Sequence, residues 1–394
     1  MSFDFDQIIP RRGTGSIKWE YYPEDVLPMW VADMDFASPE PVVRALRERA
    51  EHGIFGYASP SADLVPLICQ RMADLYNWQV TPEQVLFLPG LVSAINVLCR
   101  AIGEPGDHVV TLTPAYMPFF SAPRNQDRVC DTFDLSYASQ SDGTISYHLD
   151  LEGFAASLHP QTRLLLLSQP HNPVGIEYDR ETLARLAEIC VERGIVICSD
   201  EIHCDLMLGD TYHTPTAAIS PEIAANTVTL LAPSKTFNLP GLGCSIAIVQ
   251  NDELRTKIRR AEAGIVPHVN AFGYIGAYAA YSEGGPWLEA LCAYLTENRN
   301  ILVSYLAEHM PQLRTTVPDA TYLAWIDCRE AGIAGNPAAF FLEKAKLALS
   351  DGRAFGENGT GFVRLNFGCP RPILLDGLAR MHAALQSAQP LSHD

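Results

Sequence analysis

Between residues 85 and 250 the chain alternates short, uninterrupted apolar runs with longer stretches whose apolar residues recur every three or four positions. The runs are "QVLFLPG", "DHVVTLTP", "TRLLLLSQP", "IVICSDE", "TVTLLAP" and "SIAIVQ"; the periodic stretches include "LVSAINVLCRAIG" and "RETLARLAEICVERG". Runs without polar alternation predict strands buried on both faces, and the helical patterns between them predict a mostly parallel sheet covered by helices. The expected class is α/β. Beyond residue 285 a long helical stretch, "PWLEALCAYLTENRNILVSYLAEHM", leads through "ATYLAWIDCR" and a further helix to "GFVRLNFG". This order predicts a smaller α+β unit. The first 45 residues carry no sheet pattern and are expected to pack on that unit, giving a large domain over 46–285 and a small one from 1–45 plus 286–394.

Composition narrows the function. At 394 residues and 47% hydrophobic, the chain can bury a large core and hold two or three domain-sized units. Its 46 acidic and 28 basic side chains give a formal charge of −18 with no basic run, which argues against nucleic acid or an anionic membrane as partner. Any phosphate it binds must be held locally. The opening "MSFDFDQIIPRRGTGS" has acidic residues and no apolar core of signal-peptide length, and no segment reaches about 18 apolar residues. The expected location is the cytoplasm. Ten cysteines without a Cys-x-x-Cys pair are expected to be reduced core fillers. The group Cys198, Asp200, His203 and Cys204 matches no structural zinc spacing, so no metal is expected.

The candidate chemistry falls where the runs end, which in an open α/β sheet is where ligands bind. Asn172 comes after the leucines of "LLLLSQPHNPVG", Asp200 and His203 close "GIVICSDEIH", Lys235 closes "TLLAPSKT" and Tyr116 closes "VVTLTPAY". Singly, each has an ordinary explanation as turn former, helix cap, apolar-stemmed surface lysine or core aromatic. Together they aim an amide, a carboxylate, an amine and a ring at one crevice. Of five lysines, Lys235 alone is flanked by small and apolar residues, whereas Lys18, Lys257, Lys344 and Lys346 read as ordinary charged positions. A half-desolvated amine with lowered pKa condenses with carbonyls. "VLFLPGLVSAINVLCRA" adds a strand, a glycine turn and a helix start, whose backbone N–H groups at Gly90, Leu91 and Val92 suit a phosphate. A lysine, a carboxylate and an anion cup are the parts that pyridoxal 5'-phosphate (PLP) requires.

With these residues in view, the sequence resembles the fold-type I PLP enzymes of the aminotransferase class I/II superfamily, and more narrowly the MalY/PatB-type cystathionine β-lyases, or C–S lyases. The resemblance runs nearly end to end, through "RRGTGSIKWE", "LPMWVADMDFASPEPV", "GIFGY", "PHNPVG", "SDEIHCDL", "APSKTFNLPGL", "AAYSEGGPWLEAL" and "RLNFGCPR". It implies a PLP-dependent transferase-like fold whose large domain holds a mostly parallel seven-stranded sheet between helices. It implies that Lys235 bonds the cofactor aldehyde and takes the Cα proton, that Asp200 holds the ring nitrogen, and that Asn172 and His203 serve the phenolic oxygen. Tyr116 would stack on the ring. Gly90, Leu91, Val92 and Ser234 would hold the phosphate, joined by Tyr57 from the second subunit of a homodimer with shared active sites. Arg364 would grip the carboxylate of an amino-acid substrate.

Three positions depart from aminotransferase patterns. Ala232 lacks a hydroxyl, Gly243 stands where an arginine is common, and "SQPHNP" replaces "CNPHNP". The β-lyases also lack that arginine. The implied reaction is α,β-elimination from L-cystathionine or a related S-conjugate, giving thiol, pyruvate and ammonia, with the leaving group accepted near "WVADMDF". Transamination is the alternative, because it draws on the same residues. A purely regulatory role through protein contact finds no supporting motif. A nicotinamide-dependent oxidoreductase lacks its Gly-x-Gly-x-x-Gly.

Overall fold

The computed structural model describes residues 3–388; positions 1–2 and 389–394, the ends of the expected small domain, lie outside them. Seven strands form the large sheet: β1 Val85–Leu88, β2 His108–Thr113, β3 Val129–Asp134, β4 Thr162–Ser168, β5 Val196–Asp200, β6 Thr227–Leu231 and β7 Ser245–Val249. Their order is β1-β7-β6-β5-β4-β2-β3. All pairs are parallel except the two that β7 makes, with β6 and β1. The expected mostly parallel, seven-stranded sheet is therefore present.

Six of these strands coincide with the apolar runs, and side-chain alternation explains why the runs are continuous. Leu164 and Leu166 of β4 pack with Ile95 and Leu98 of helix α1, Leu91–Ala101. Leu165 and Leu167 point to the other face, onto Leu183 and Leu186 of helix α2, Arg180–Glu192. Both faces are covered, so each leucine contributes roughly 1.5–3 kcal/mol of burial. Strand β3 lies outside the pattern of apolar runs. It sits at the sheet edge, and its sequence, "VCDTFD", is partly exposed and carries polar residues instead of an unbroken apolar run.

After helix α3, Gly285–His309, come β8 Arg314–Thr315, β9 Leu323–Asp327, helix α4 Pro337–Lys344, β10 Ser350–Asp351, β11 Phe362–Asn366 and helix α5 Arg371–Ala388. The strands form an antiparallel sheet in the order β8-β9-β11-β10. The start of the chain joins this part of the molecule: Leu27–Pro28 pairs in parallel with Leu347–Ala348. Helix Glu40–His52 runs across the expected boundary at residue 45 and packs on helix Ala271–Glu283.

Lys18 corrects an expectation. It is not in an ordinary charged setting but is 2% exposed. Its Nζ donates to Asp35 Oδ2 at 2.7 Å and to the Asp33 carbonyl at 3.0 Å. Arg11 pairs with Asp33 at 2.6 Å and with Asp35 at 2.7 Å. A buried charge persists only when paired, and these partners lie too far along the chain for local sequence to reveal them. All ten cysteines are free thiols, and Cys99, Cys190, Cys198, Cys204, Cys244, Cys328 and Cys369 are buried. Among the described residues no helix is long and apolar enough to cross a membrane.

Candidate active site

The carboxyl ends of β1, β2, β4, β5 and β6 open on one cavity of about 790 Å³. Because β7 runs the other way, its first residues, with Gly243 and Cys244 before them, reach the same edge. Residues from α4 to Phe355, together with Arg364, close the far side. Of the eleven residues expected at the site, Gly90, Leu91, Val92, Tyr116, Asn172, Asp200, His203, Ser234, Lys235 and Arg364 line this cavity. Tyr57 does not. It is fully exposed on an irregular segment, at 108% relative accessibility.

Lys235 lies in the one-turn helix Pro233–Thr236 that comes after β6. Its Nζ donates to the Ala32 carbonyl, which also accepts from Tyr322 Oη at 2.9 Å. Burial, and then the Arg364 charge, lower the amine pKa to about 8 against the opposite pull of Asp33 and Asp200. About a tenth of the amine is therefore neutral at pH 7.

Asp200 ends β5 and is buried. Its Oδ1 accepts one backbone N–H, from Ile202 at 3.2 Å. Burial raises its pKa to about 7, a shift that the Ile202 bond and Lys235 only partly offset. A buried carboxylate with so little compensation calls for a cationic donor. His203 is buried beside it, edge-on to Tyr322 with ring centroids 6.1 Å apart. Burial and the charges of Lys235 and Arg364 lower its pKa to about 3, so the ring is neutral, and its Nδ1 has no partner among the described residues.

Arg364 is carried by β11 and joins three parts of the chain. Nη1 donates to Asn172 Oδ1 at 3.0 Å; Nη2 donates to the Trp30 carbonyl at 3.2 Å and to Ser350 Oγ at 3.4 Å. Its Cζ lies 4.7 Å from the Phe355 ring centroid. Burial lowers its pKa to about 10, which leaves it cationic at neutral pH.

At the opposite end, α1 begins directly after Gly90, and its first-turn N–H groups have no acceptor within the helix. Gly243 faces the same turn with φ +60°, and a Cβ there would stand 3.0 Å from the Pro89 carbonyl. This close approach accounts for glycine where an arginine is common, since a side chain would push against the strand-to-helix turn.

Sequence reasoning missed the Trp30 and Ala32 carbonyls, Tyr322, Ser350 and Phe355. The "WVADMDF" segment is expected to meet the leaving group, and Trp30, Val31 and Ala32 do line the cavity. The bonds of Trp30 to Arg364 and of Ala32 to Lys235 are made by backbone carbonyls, for which side-chain identity gives no signal.

Residues 24–378 match the family model for aminotransferase class I and II. The chain is 40% identical over 390 residues to cystathionine beta-lyase PatB of Bacillus subtilis (strain 168), covering 97% of this chain and 100% of that protein. It is similar to the crystal structure of OvoB, with a TM-score of 0.92 and 41% identity over 98% of this chain and 100% of the other. It is also similar to the PLP-bound C-S lyase from Staphylococcus hominis, with a TM-score of 0.90 and 31% identity over 97% and 99% of the two chains. A cavity built from five parallel strand ends around a half-buried lysine, in a chain that matches over almost its whole length, places this protein in the aminotransferase class I and II family.

Proposed function

We propose that this chain is a PLP-dependent C–S β-lyase acting on L-cystathionine or related cysteine S-conjugates. The observation that carries this is the convergence on one cavity of the low-pKa amine of Lys235, the under-bonded carboxylate of Asp200 and the buried guanidinium of Arg364.

The residues present fit the cofactor. Asp200 needs a cationic donor, which a protonated ring nitrogen is. Asn172 accepts from Arg364 through Oδ1, which leaves Nδ2 to donate to a phenolic oxygen, with neutral His203 close by. Tyr116 offers a ring face. The phosphate falls to the N–H groups of the turn at Gly90, Leu91 and Val92, with Ser234 alongside. Tyr57 lies beside the exposed Ile54 and Phe55, an apolar stretch suited to a second copy of the chain, and we assign it to the phosphate of that copy's site. We further place the protein in the cytoplasm, where its free thiols stay reduced.

When bound, PLP supplies an aldehyde that holds the substrate amine and a cationic ring that draws electrons from Cα. Arg364 orients the substrate through its α-carboxylate. Lys235 Nζ receives the Cα proton, and its lowered pKa keeps the accepting form available. The Cβ–S bond then breaks, and its electron pair leaves with sulfur. With one water consumed, the products are thiol, pyruvate and ammonia. Asp200 keeps the ring nitrogen protonated throughout.

The deciding experiment mixes PLP-loaded protein with L-cystathionine and no keto acid. Pyruvate and thiol should form in equal amounts. Turnover only when a keto acid is added would replace this proposal with transamination.

A further inference from the structure

The cavity has a second guanidinium at its mouth. The turn Gly352–Phe355 comes directly after β10 and performs two tasks: Phe355 lies against Arg364, and Arg353 enters the cavity lining. Arg353 is braced along one edge. Its Nε and Nη2 donate to Asp351 Oδ2 at 2.9 and 2.6 Å, while Asp351 Oδ1 accepts the Arg353 backbone N–H at 3.0 Å. Among the described residues Nη1 has no hydrogen-bond partner, and the side chain is 60% exposed. A guanidinium fixed on one edge and open on the other is a preorganised carboxylate receptor.

Arg353 shares the cavity with Arg364 but uses none of Arg364's partners, so it is free for a second group on the substrate. Ser350 Oγ donates to the Trp30 carbonyl at 2.8 Å and lies 3.4 Å from Arg364 Nη2, and Arg353, three residues further along the chain, lines the same cavity. The cavity also gathers an excess of cations that the acidic chain as a whole lacks. The whole protein carries −18, yet Lys235, Arg353 and Arg364 line the cavity against two carboxylates, Asp200 and Asp351. Once Lys235 is engaged by the cofactor, Arg353 and Arg364 are the cavity's cations for substrate carboxylates.

Building on the lyase reading, we infer that Arg353 recognises an acidic group on the leaving thiol, and that the preferred substrates are cysteine S-conjugates whose sulfur substituent bears a carboxylate. Arg364 takes the α-carboxylate and Arg353 takes the distal one.

The test compares S-(2-carboxyethyl)-L-cysteine with its amide, S-(2-carbamoylethyl)-L-cysteine, which has the same length and no charge. Wild-type protein should release pyruvate from the acid with the higher kcat/KM. Arg353→Met should lower that value by about tenfold or more, mainly through KM, and leave the amide within about twofold. Equal use of acid and amide by the wild type, or equal losses on both in Arg353→Met, would overturn the inference. Unchanged amide turnover also reports that the variant is folded. A second arm titrates both conjugates into PLP-loaded Lys235→Ala, with and without Arg353→Met. The acid should bind about tenfold more tightly than the amide only when Arg353 is present; equal binding in its presence overturns the inference. If the wild type yields pyruvate from neither conjugate nor from L-cystathionine, the lyase reading fails by itself, and the titration still decides the role of Arg353.

Discussion

Lys18 Nζ lies 2.7 Å from Asp35 Oδ2 with both side chains buried, and this pair anchors the segment that overlies the site. The Lys18 carbonyl accepts from Trp30 Nε1 at 3.2 Å, and the Trp30 carbonyl in turn accepts from Arg364. Lys18→Met leaves Asp35 with Arg11 and Trp19 as donors but removes its most buried counter-charge. The expected cost is about 3 kcal/mol, read as a lower urea midpoint, together with a raised KM. A stability equal to wild type would remove the anchoring role. Burial alone would raise the Asp35 pKa, but Lys18, Trp19 and Arg11 outweigh it and the net shift is downward. This pair's contribution is therefore present above the ordinary carboxylate range and is lost as pH falls through the depressed value.

Arg364→Lys keeps the charge and loses the fork that reaches Asn172, Trp30 and Ser350 together. A point charge cannot meet those partners and a carboxylate in one plane. Steady-state kinetics should show kcat/KM lowered by about 10- to 100-fold. Near-normal kinetics would mean that the α-carboxylate binds elsewhere.

Asp200→Asn should have opposite effects on the cofactor-free protein and on catalysis. The folded-state pKa of Asp200 is raised to about 7 by burial. The folded state thus holds a proton that the unfolded chain releases near pH 4, and stability is lost as pH rises through 7. At pH 8 the cofactor-free Asn variant should be more stable than wild type, by up to about 4 kcal/mol. At pH 5 the gap should narrow to about 1.5 kcal/mol, because the folded wild type holds a proton that the unfolded chain has only partly released. Turnover of the PLP-loaded variant should fall by several orders of magnitude. Thermal melts in which the gap between variant and wild type is the same at pH 5 and pH 8 would contradict the assigned ionisation.

The pH dependence of cofactor capture tests Lys235 directly. With its pKa lowered to about 8, first by burial and then by Arg364, the amine is half neutral at pH 8. The rate of PLP uptake by cofactor-free protein should rise with pH and level off above that point. Replacing Arg364 with Met removes a repelling charge and should move the midpoint upward. A profile still climbing near pH 10, as for an ordinary lysine, would sink the assignment.

The strand-end residues are legible because unbroken apolar runs such as "LLLL" and "TVTLL" can only be buried strands, and the polar residues just beyond them must emerge at the carboxyl edge. The same rule hides β3, where the polar residues of "VCDTFD" break the apolar run. Lys18 misleads because local neighbours such as Glu20 suggest a solvated helix, while its partner Asp35 lies 17 residues away. Ala32 and Trp30 act through carbonyls that every residue possesses. For Tyr57, the geometry of one chain leaves the ring in solvent, so the role proposed for it lies with a second copy.

The Ala32 carbonyl has a further consequence. Lys235 Nζ donates to it across 203 residues, and an amine bonded to an aldehyde can no longer hold that contact in the same form. Tyr322 alone would then grip Ala32, so cofactor loading should alter hydrogen exchange across the stretch from Trp30 to Met34. By the same token, trimming the chain past Ala32 deletes none of the residues assigned to the chemistry, yet strips both site cations of a tether. The amino-terminal arm thus belongs to the working machinery, and a shortened or tagged variant is best judged by its turnover.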